Sequence, residues 1–467
     1  MQSGLRHSWP ICKRLFSCSM PESRHISTPS IVHEMCNAML NLVGGLDELE
    51  SSLAQFSLHL TPALFSQVLD CCKSEGPGRR ILRFIRWARK TLGPTFSNED
   101  FNTGLRVVAE KNDPEGIEIL LWDMRKEGRV MELQSFAVVA NVLIGMGRQR
   151  EALGIFKNLE KFKLSIDGST VVTIVAALCR KGHAKEAQGI MKHHNEKVST
   201  SEMLTIYKCL LYGWSLRKQM KEARNVLKEM KKDGIVPDIF CYNTYLKGLC
   251  ERNVVRNHSG LVPDSMNVLM EMRSHRVEPN SITYNTLLSC LGRVGRVKEA
   301  CRVFDLMKRT GCSANWVSYY HVVKVLFLSG RFGMGAKMID EMIGEGIAPE
   351  RKFYYNLIKI LCKLGRLRIA LELLEKMKMS SLGGYGPVYD MLIPKVCEEK
   401  GIEKGQELWN EAIKMDVSLS FSCNMLVSSV TNAAIDEVGD DELENNKQGE
   451  NLSQKDSSSS SHRIDIF

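Results

Sequence analysis

The chain repeats itself every 35 residues, and that period limits what it can fold into more than any other feature. SHRVEPNSITYNTLLSCLGRVGRVKEACRVFDLM and GEGIAPERKFYYNLIKILCKLGRLRIALELLEKM share one frame, and KKDGIVPDIFCYNTYLKGLC opens a third copy. Counted from the residue after each Pro-Asp, Pro-Asn or Pro-Glu pair, segments 204–238, 281–315, 316–350 and 351–385 each span 35 residues. The frame continues through 63–97, 98–132, 133–167 and 168–203 and weakly into 386–420, whereas 239–280 runs to 42 residues. A fixed period of this length marks stacked supersecondary units, not one closed core.

Each segment has the same plan. In 281–315, Tyr284, Leu287, Leu288 and Leu291 recur at helical spacing and form one apolar face, which Gly295 ends. Val297, Ala300, Val303, Phe304 and Met307 form the apolar face of a second helix, ended by Gly311. Ala300, with Ala152, Ala187, Ala223 and Ala370 in the same slot elsewhere, marks a close helix approach. A hairpin cannot bury both faces alone, so the expected fold is an all-α solenoid of nine or ten stacked two-helix hairpins spanning 63–420. Residues 31–62 read as a helical lead-in. The extra residues of 239–280 fall near Asn253 to Ser259, where a loop between the helices can absorb them.

Both ends differ from this body. Residues 1–30 carry Arg6, Lys13, Arg14 and Arg24 against the single acid Glu22 and are rich in serine, the composition of an organellar transit peptide, with mitochondrion preferred and chloroplast the alternative. Residues 421–467 form an acidic, serine-rich tail too poor in apolar groups to order. From 431 on it holds nine acids against three bases, so a net charge of +9 for the chain leaves +15 on residues 1–430, a balance that favours a polyanionic partner. The most apolar stretch, Phe136 to Ile144, is far short of the roughly 20 residues a membrane-spanning helix needs, so no membrane insertion is expected. Fifteen cysteines include no CxxC pair. Cys179, Cys250, Cys362 and Cys397 share one repeat position, as small buried hydrophobes would.

Catalytic constellations are missing from the sequence. It has neither a GxxxxGK[ST] phosphate loop nor a GxSxG nucleophile elbow. No HxE is followed by PCxxC, the zinc-deaminase signature, and His193–His194 is the one tight pair among eleven histidines. The expectation is a protein that is not an enzyme and uses no cofactor or metal.

The phrase ITYNTLL, followed by GRVKEA, a methionine and then GIAPE or GIVPD, resembles the pentatricopeptide repeat, and FIRWA near Ala88 resembles the first unit of its plant members. The period fits that family better than the tetratricopeptide one, whose units run to about 34 residues with a different pattern. The resemblance implies a right-handed superhelical solenoid whose first helices line a concave face and bind single-stranded RNA, one unit to one base. In such units the fifth residue meets the base edge, the thirty-fifth supports it and the second wedges against the base. Here that implies Asn243 with Asn280 and wedge Phe240, and Asn285 with Asn315 between wedges Ile282 and Val317. An amide both donates and accepts, suiting a pyrimidine edge. Arg180, Arg293 and Lys363 lie where relatives touch phosphate.

The other pairs depart from the family: Asn102 with Glu132, Ala137 with Asp167, Val172 with Glu202, Lys208 with Asp238, Tyr320 with Glu350 and Tyr355 with Tyr385. Of these, Lys208 could meet a phosphate and Tyr355 could stack. The expected function is therefore binding of organellar RNA, in transcript stability, processing, splicing or translation, by a monomer working with RNA-processing or ribosomal proteins. The alternative is a non-catalytic scaffold such as a peripheral subunit of an organellar ribosome.

Overall fold

The computed structural model describes residues 28–41, 46–421 and 423; the expected leader before Thr28 and nearly all of the acidic tail lie outside the described residues. Those residues form helices and no strand, in two compact units, 1–236 and 237–467. The first unit opens with a lead-in pair, α1 (Thr28–Asn41) and α2 (Leu46–Ala54). Five hairpins follow: α3 (Pro62–Glu75) with α4 (Gly78–Leu92), α5 (Asn98–Glu110) with α6 (Pro114–Lys126), α7 (Leu133–Gly145) with α8 (Gln149–Lys157), α9 (Gly168–Arg180) with α10 (Ala184–His193), and α11 (Thr200–Leu216) with α12 (Met220–Lys232). The second unit holds α13 (Ile239–Arg256) with α14 (Leu261–Ser274), α15 (Ser281–Arg293) with α16 (Val297–Arg309), α17 (Trp316–Leu328) with α18 (Phe332–Gly344), α19 (Arg351–Lys363) with α20 (Leu367–Met379), and α21 (Gly386–Lys400) with α22 (Ile402–Lys414). Within each unit, successive first helices pack on one another, so each hairpin is completed by its neighbours.

Local chemistry sets the helix ends. Ser97, Asp167, Asp238, Asn280 and Asn315 hold extended backbone and accept, through their side chains, the N–H three residues on. Gly295 and Gly311 take φ of +69° and +74°, a conformation that lets α15 and α16 each end in a tight turn.

Two positions join the helices of a hairpin. The slot of Ala300 is fully buried, and in other hairpins it is matched in size to the residue eight places before it or, in the long segment, fifteen. Gly335 faces Phe327 so closely that an added Cβ would lie 2.4 Å from the ring; Gly405 faces Cys397, and Ser265 touches the Cys250 sulfur at 3.2 Å. The repeated cysteines thus fill a packing position, and all thirteen in the described residues are free thiols.

The second joint is a buried tyrosine near the start of the first helix, in its first turn except in α11, where it is in the second. Tyr207, Tyr284, Tyr319, Tyr354 and Tyr389 each hydrogen-bond a residue 26 places on, at the end of the second helix: Asp233, Thr310, Glu345, Ser380 and the Met415 sulfur. In the long hairpin, Tyr242 instead lies 6.4 Å from the His275 ring.

Two local features differ from the sequence expectation. The insertion in 239–280 does not bulge as a loop over its whole length: α13 runs on to Arg256, because Asn253 is fully buried and donates to Asp264 at 2.8 Å, leaving a short turn at 257–260. And α11 begins at Thr200, one turn ahead of the repeat frame, because Ser199 and Glu202 make a complete capping box there.

Candidate nucleic-acid interface

The asparagine pairs are built from the capping residues. Asn280 caps α15 by accepting from the Thr283 N–H at 3.1 Å, and Asn315 caps α17 by accepting from Ser318 N–H at 3.1 Å. Each cap oxygen also receives the amide of the preceding fifth residue: Asn243 Nδ2 reaches Asn280 Oδ1 at 3.3 Å, and Asn285 Nδ2 reaches Asn315 Oδ1 at 3.3 Å. The structure therefore brings together both pairs that the sequence singles out, and the cap network fixes which way each amide points.

Their chemistry is narrower than an amide's full repertoire. Asn243 Oδ1 is taken by the Thr283 hydroxyl at 2.7 Å, and Asn285 Oδ1 is buried without a hydrogen-bond partner. Both cap oxygens are already used. Each pair keeps N–H to offer a ligand, and Asn285 keeps an unfilled acceptor as well. Thr283 and Ser318, whose hydroxyls organise the network, were not singled out from sequence; their place three residues after a capping Asn was the available signal.

Beside the pairs, Phe240 and Ile282 are half or more exposed at 50% and 61%, unusual for large apolar side chains, while Val317 is half-buried. Arg180, Arg293 and Lys363 are the exposed last residues of α9, α15 and α19, where a cation also suits the helix dipole. Arg180, in the first unit, donates to Asn141 at 2.9 Å; Arg293 and Lys363 form no ion pair among the described residues.

Other positions serve the scaffold. Asn102 is fully buried, donating to the Asn98 and Val130 carbonyls and accepting from the Glu132 N–H, and Arg106 holds Glu132 at 2.8 Å. Glu202 sits inside its helix's capping box. Tyr320 and Tyr355 instead share a motif: Lys324 and Lys359, one turn on, lie 5.9 Å and 5.7 Å over their rings. His193 and His194 touch edge to face at 4.8 Å, with His194 held below its ordinary pKa by burial and by His193. Among the described residues no cluster of side chains could hold a metal, and no helix is long and apolar enough to cross a membrane.

Known proteins resemble this chain along the same frame. The PPR repeat family model matches residues 204–251 and 279–327, and the PPR repeat model matches 353–382. A mitochondrial pentatricopeptide repeat-containing protein of Arabidopsis thaliana is 54% identical over 86% of this chain and 82% of its own length. A small ribosomal subunit protein of the same plant is 27% identical over 58% of this chain and 52% of its own. The crystal structure of PPR10 from maize shares the fold, with a TM-score of 0.50 at 22% identity over 86% of this chain and 60% of that one.

Proposed function

The chain belongs to the pentatricopeptide repeat family, and on that premise we propose that it binds single-stranded RNA in mitochondria and acts in transcript metabolism without a catalytic step of its own. The observation that carries this reading is the repeated locked amide pair, Asn243–Asn280 and Asn285–Asn315, set beside exposed Phe240 and Ile282. Apolar wedges stack on any base, and N–H donors select among them. The O2 carbonyl is an acceptor common to cytosine and uracil, so a donor-bearing pair suits either pyrimidine. Within the second unit Arg293 and Lys363 would meet phosphate, as Arg180 would within the first.

The mitochondrial setting is supported by the Arabidopsis relative's name and by the Arg- and Ser-rich start of the sequence. Selection from a random RNA pool tests the reading: the enriched sequences should share a short motif with two adjacent pyrimidines. A pool that stays random would favour the second reading, a ribosomal scaffold, which the similarity to a small-subunit protein and the wholly structural use of Asn102 support.

A further inference from the structure

Three cysteines meet where the lead-in packs on the first hairpin. Cys36 lies on α1, and Cys71 and Cys72 lie on α3, which α1 contacts. Successive residues of a helix point about 100° apart, so α3 turns Cys72 into the core and leaves Cys71 outside. Cys71 is the one exposed cysteine among the described residues. Cys36, itself buried, hydrogen-bonds to the sulfurs of both.

These bonds run inward. Donation from Cys36 lowers the Cys72 pKa below the ordinary thiol value, against burial and Cys71, and Lys111 adds to the effect. The same bond, with burial, pushes the Cys36 thiol up, while the bond from Cys71 pulls it down. Cys72 is thus the proton acceptor at the end of a relay that starts at the surface. A second pair, Cys250 on α13 and Cys290 on α15, also hydrogen-bonds, but both of its members are buried.

An exposed thiol backed by a resolving thiol and a base is the arrangement that thiol–disulfide exchange needs. We infer that Cys71, Cys36 and Cys72 form a redox clasp, which a low-molecular-weight disulfide such as glutathione disulfide closes into a Cys36–Cys71 bond. Cys71 passes its proton inward and attacks one glutathione sulfur. The glutathione disulfide breaks: one half stays on Cys71, and the other leaves as a thiolate and takes up a proton. Cys36 then gives its proton to Cys72 and attacks the Cys71 sulfur, expelling the second glutathione, which is protonated in turn. Two protein thiols have lost two electrons and two protons, one glutathione disulfide has become two glutathione thiols, and Cys72 ends as it began. The new bond fastens the lead-in to the first hairpin and restricts the unfolded chain between them.

Incubating the reduced full chain with glutathione disulfide and mapping its cysteine peptides by mass spectrometry tests this, with Cys71→Ser and Cys72→Ser beside the parent. In the parent, the Cys36 peptide should become joined to the one that carries Cys71 and Cys72, and dithiothreitol should part them. Cys71→Ser should form that link roughly tenfold more slowly, because the exposed nucleophile is gone. Cys72→Ser should still form it, but with a glutathione adduct on Cys71 that accumulates first. Proteolysis within residues 28–62 should slow by on the order of tenfold once the clasp is closed, while Cys250 and Cys290 stay reduced. A lasting glutathione adduct on Cys71 of the parent, or the same link from Cys71→Ser at the parent's rate, would overturn the inference. So would unchanged proteolysis of the linked chain, or oxidation of Cys250 with Cys290 as fast as that of Cys36, since unfolding and not Cys71 would then admit the oxidant.

Discussion

Tyr319 donates its phenolic hydrogen to the carboxylate of Glu345 at 2.7 Å, tying the start of one helix of a hairpin to the end of the other. Lys308, from the preceding hairpin, donates to both residues at 2.8 Å, so the joint also links neighbours. Burial opposes the Lys308 charge, but these bonds and one to Glu341 raise its pKa above the ordinary lysine range. Tyr319→Phe keeps the ring and leaves Glu345 and Lys308 a partner short. It should cost about 1–2 kcal/mol in urea unfolding, and an unchanged midpoint would show that the bond adds no net stability.

Packing between Gly335 and Phe327 gives a second test. Gly335→Ala forces a methyl into the ring and should destabilise by about 1–3 kcal/mol despite raising helix propensity. Phe327→Cys, which copies the Cys–Ala match of segments 168–203 and 351–385, should relieve that clash. In a double-mutant cycle the combined variant should be more stable than the sum of the single losses by roughly 1 kcal/mol; strict additivity would mean the two do not meet.

Reversing the hydrogen-bonding sense of one pair should reverse its preference. Asn285→Thr with Asn315→Asp puts a carboxylate acceptor where an amide donor stood, while Asp remains a good helix cap and α17 keeps its start. Selection should then move from pyrimidine to guanine, whose edge donates, at a single position and by about 1–3 kcal/mol. Ile282→Ala should weaken binding to all sequences alike, because stacking does not depend on base identity. The same enriched motif from parent and double variant would show that this pair does not read a base.

Acid should destabilise the fold through a half-buried histidine. Burial first, and Lys324 second, push the His321 pKa down to about 4, whereas in the unfolded chain it titrates near the usual value of about 6.5. Between those values the unfolded state binds more protons, so the contribution is complete above the unfolded value and is lost as pH falls toward 4. His321→Gln should therefore lose about 3 kcal/mol less than the parent between pH 7 and pH 4. Parallel losses measured by denaturant unfolding at both pH values would place the proton elsewhere.

The hairpins and the two asparagine pairs were legible because their signals are local and periodic. Tyr284, Leu287 and Leu291 declare a helix face within three turns, and Asn280 declares its start within three residues. What escaped depends on contacts that the period does not encode. Asn253 continues α13 by reaching Asp264, Ser199 starts α11 early through Glu202, and Asn102 is spent on the Val130 carbonyl, 28 residues away. Tyr284 was legible as apolar; that its hydroxyl would meet Thr310 was not, since its partner's identity changes from one hairpin to the next.

Asn280 and Asn315 start helices with the same oxygen that orients the preceding amide. On the proposed reading, the supporting letter of each pair is drawn from the few side chains able to initiate a helix, and folding then sets the size of the recognition alphabet. Changes within Asn, Asp, Ser and Thr are open to such a chain at little cost in stability. A change outside them, as at Glu132, Glu350 and Tyr385 where no side chain caps, gives up the cap and, on the proposed reading, the letter in one step.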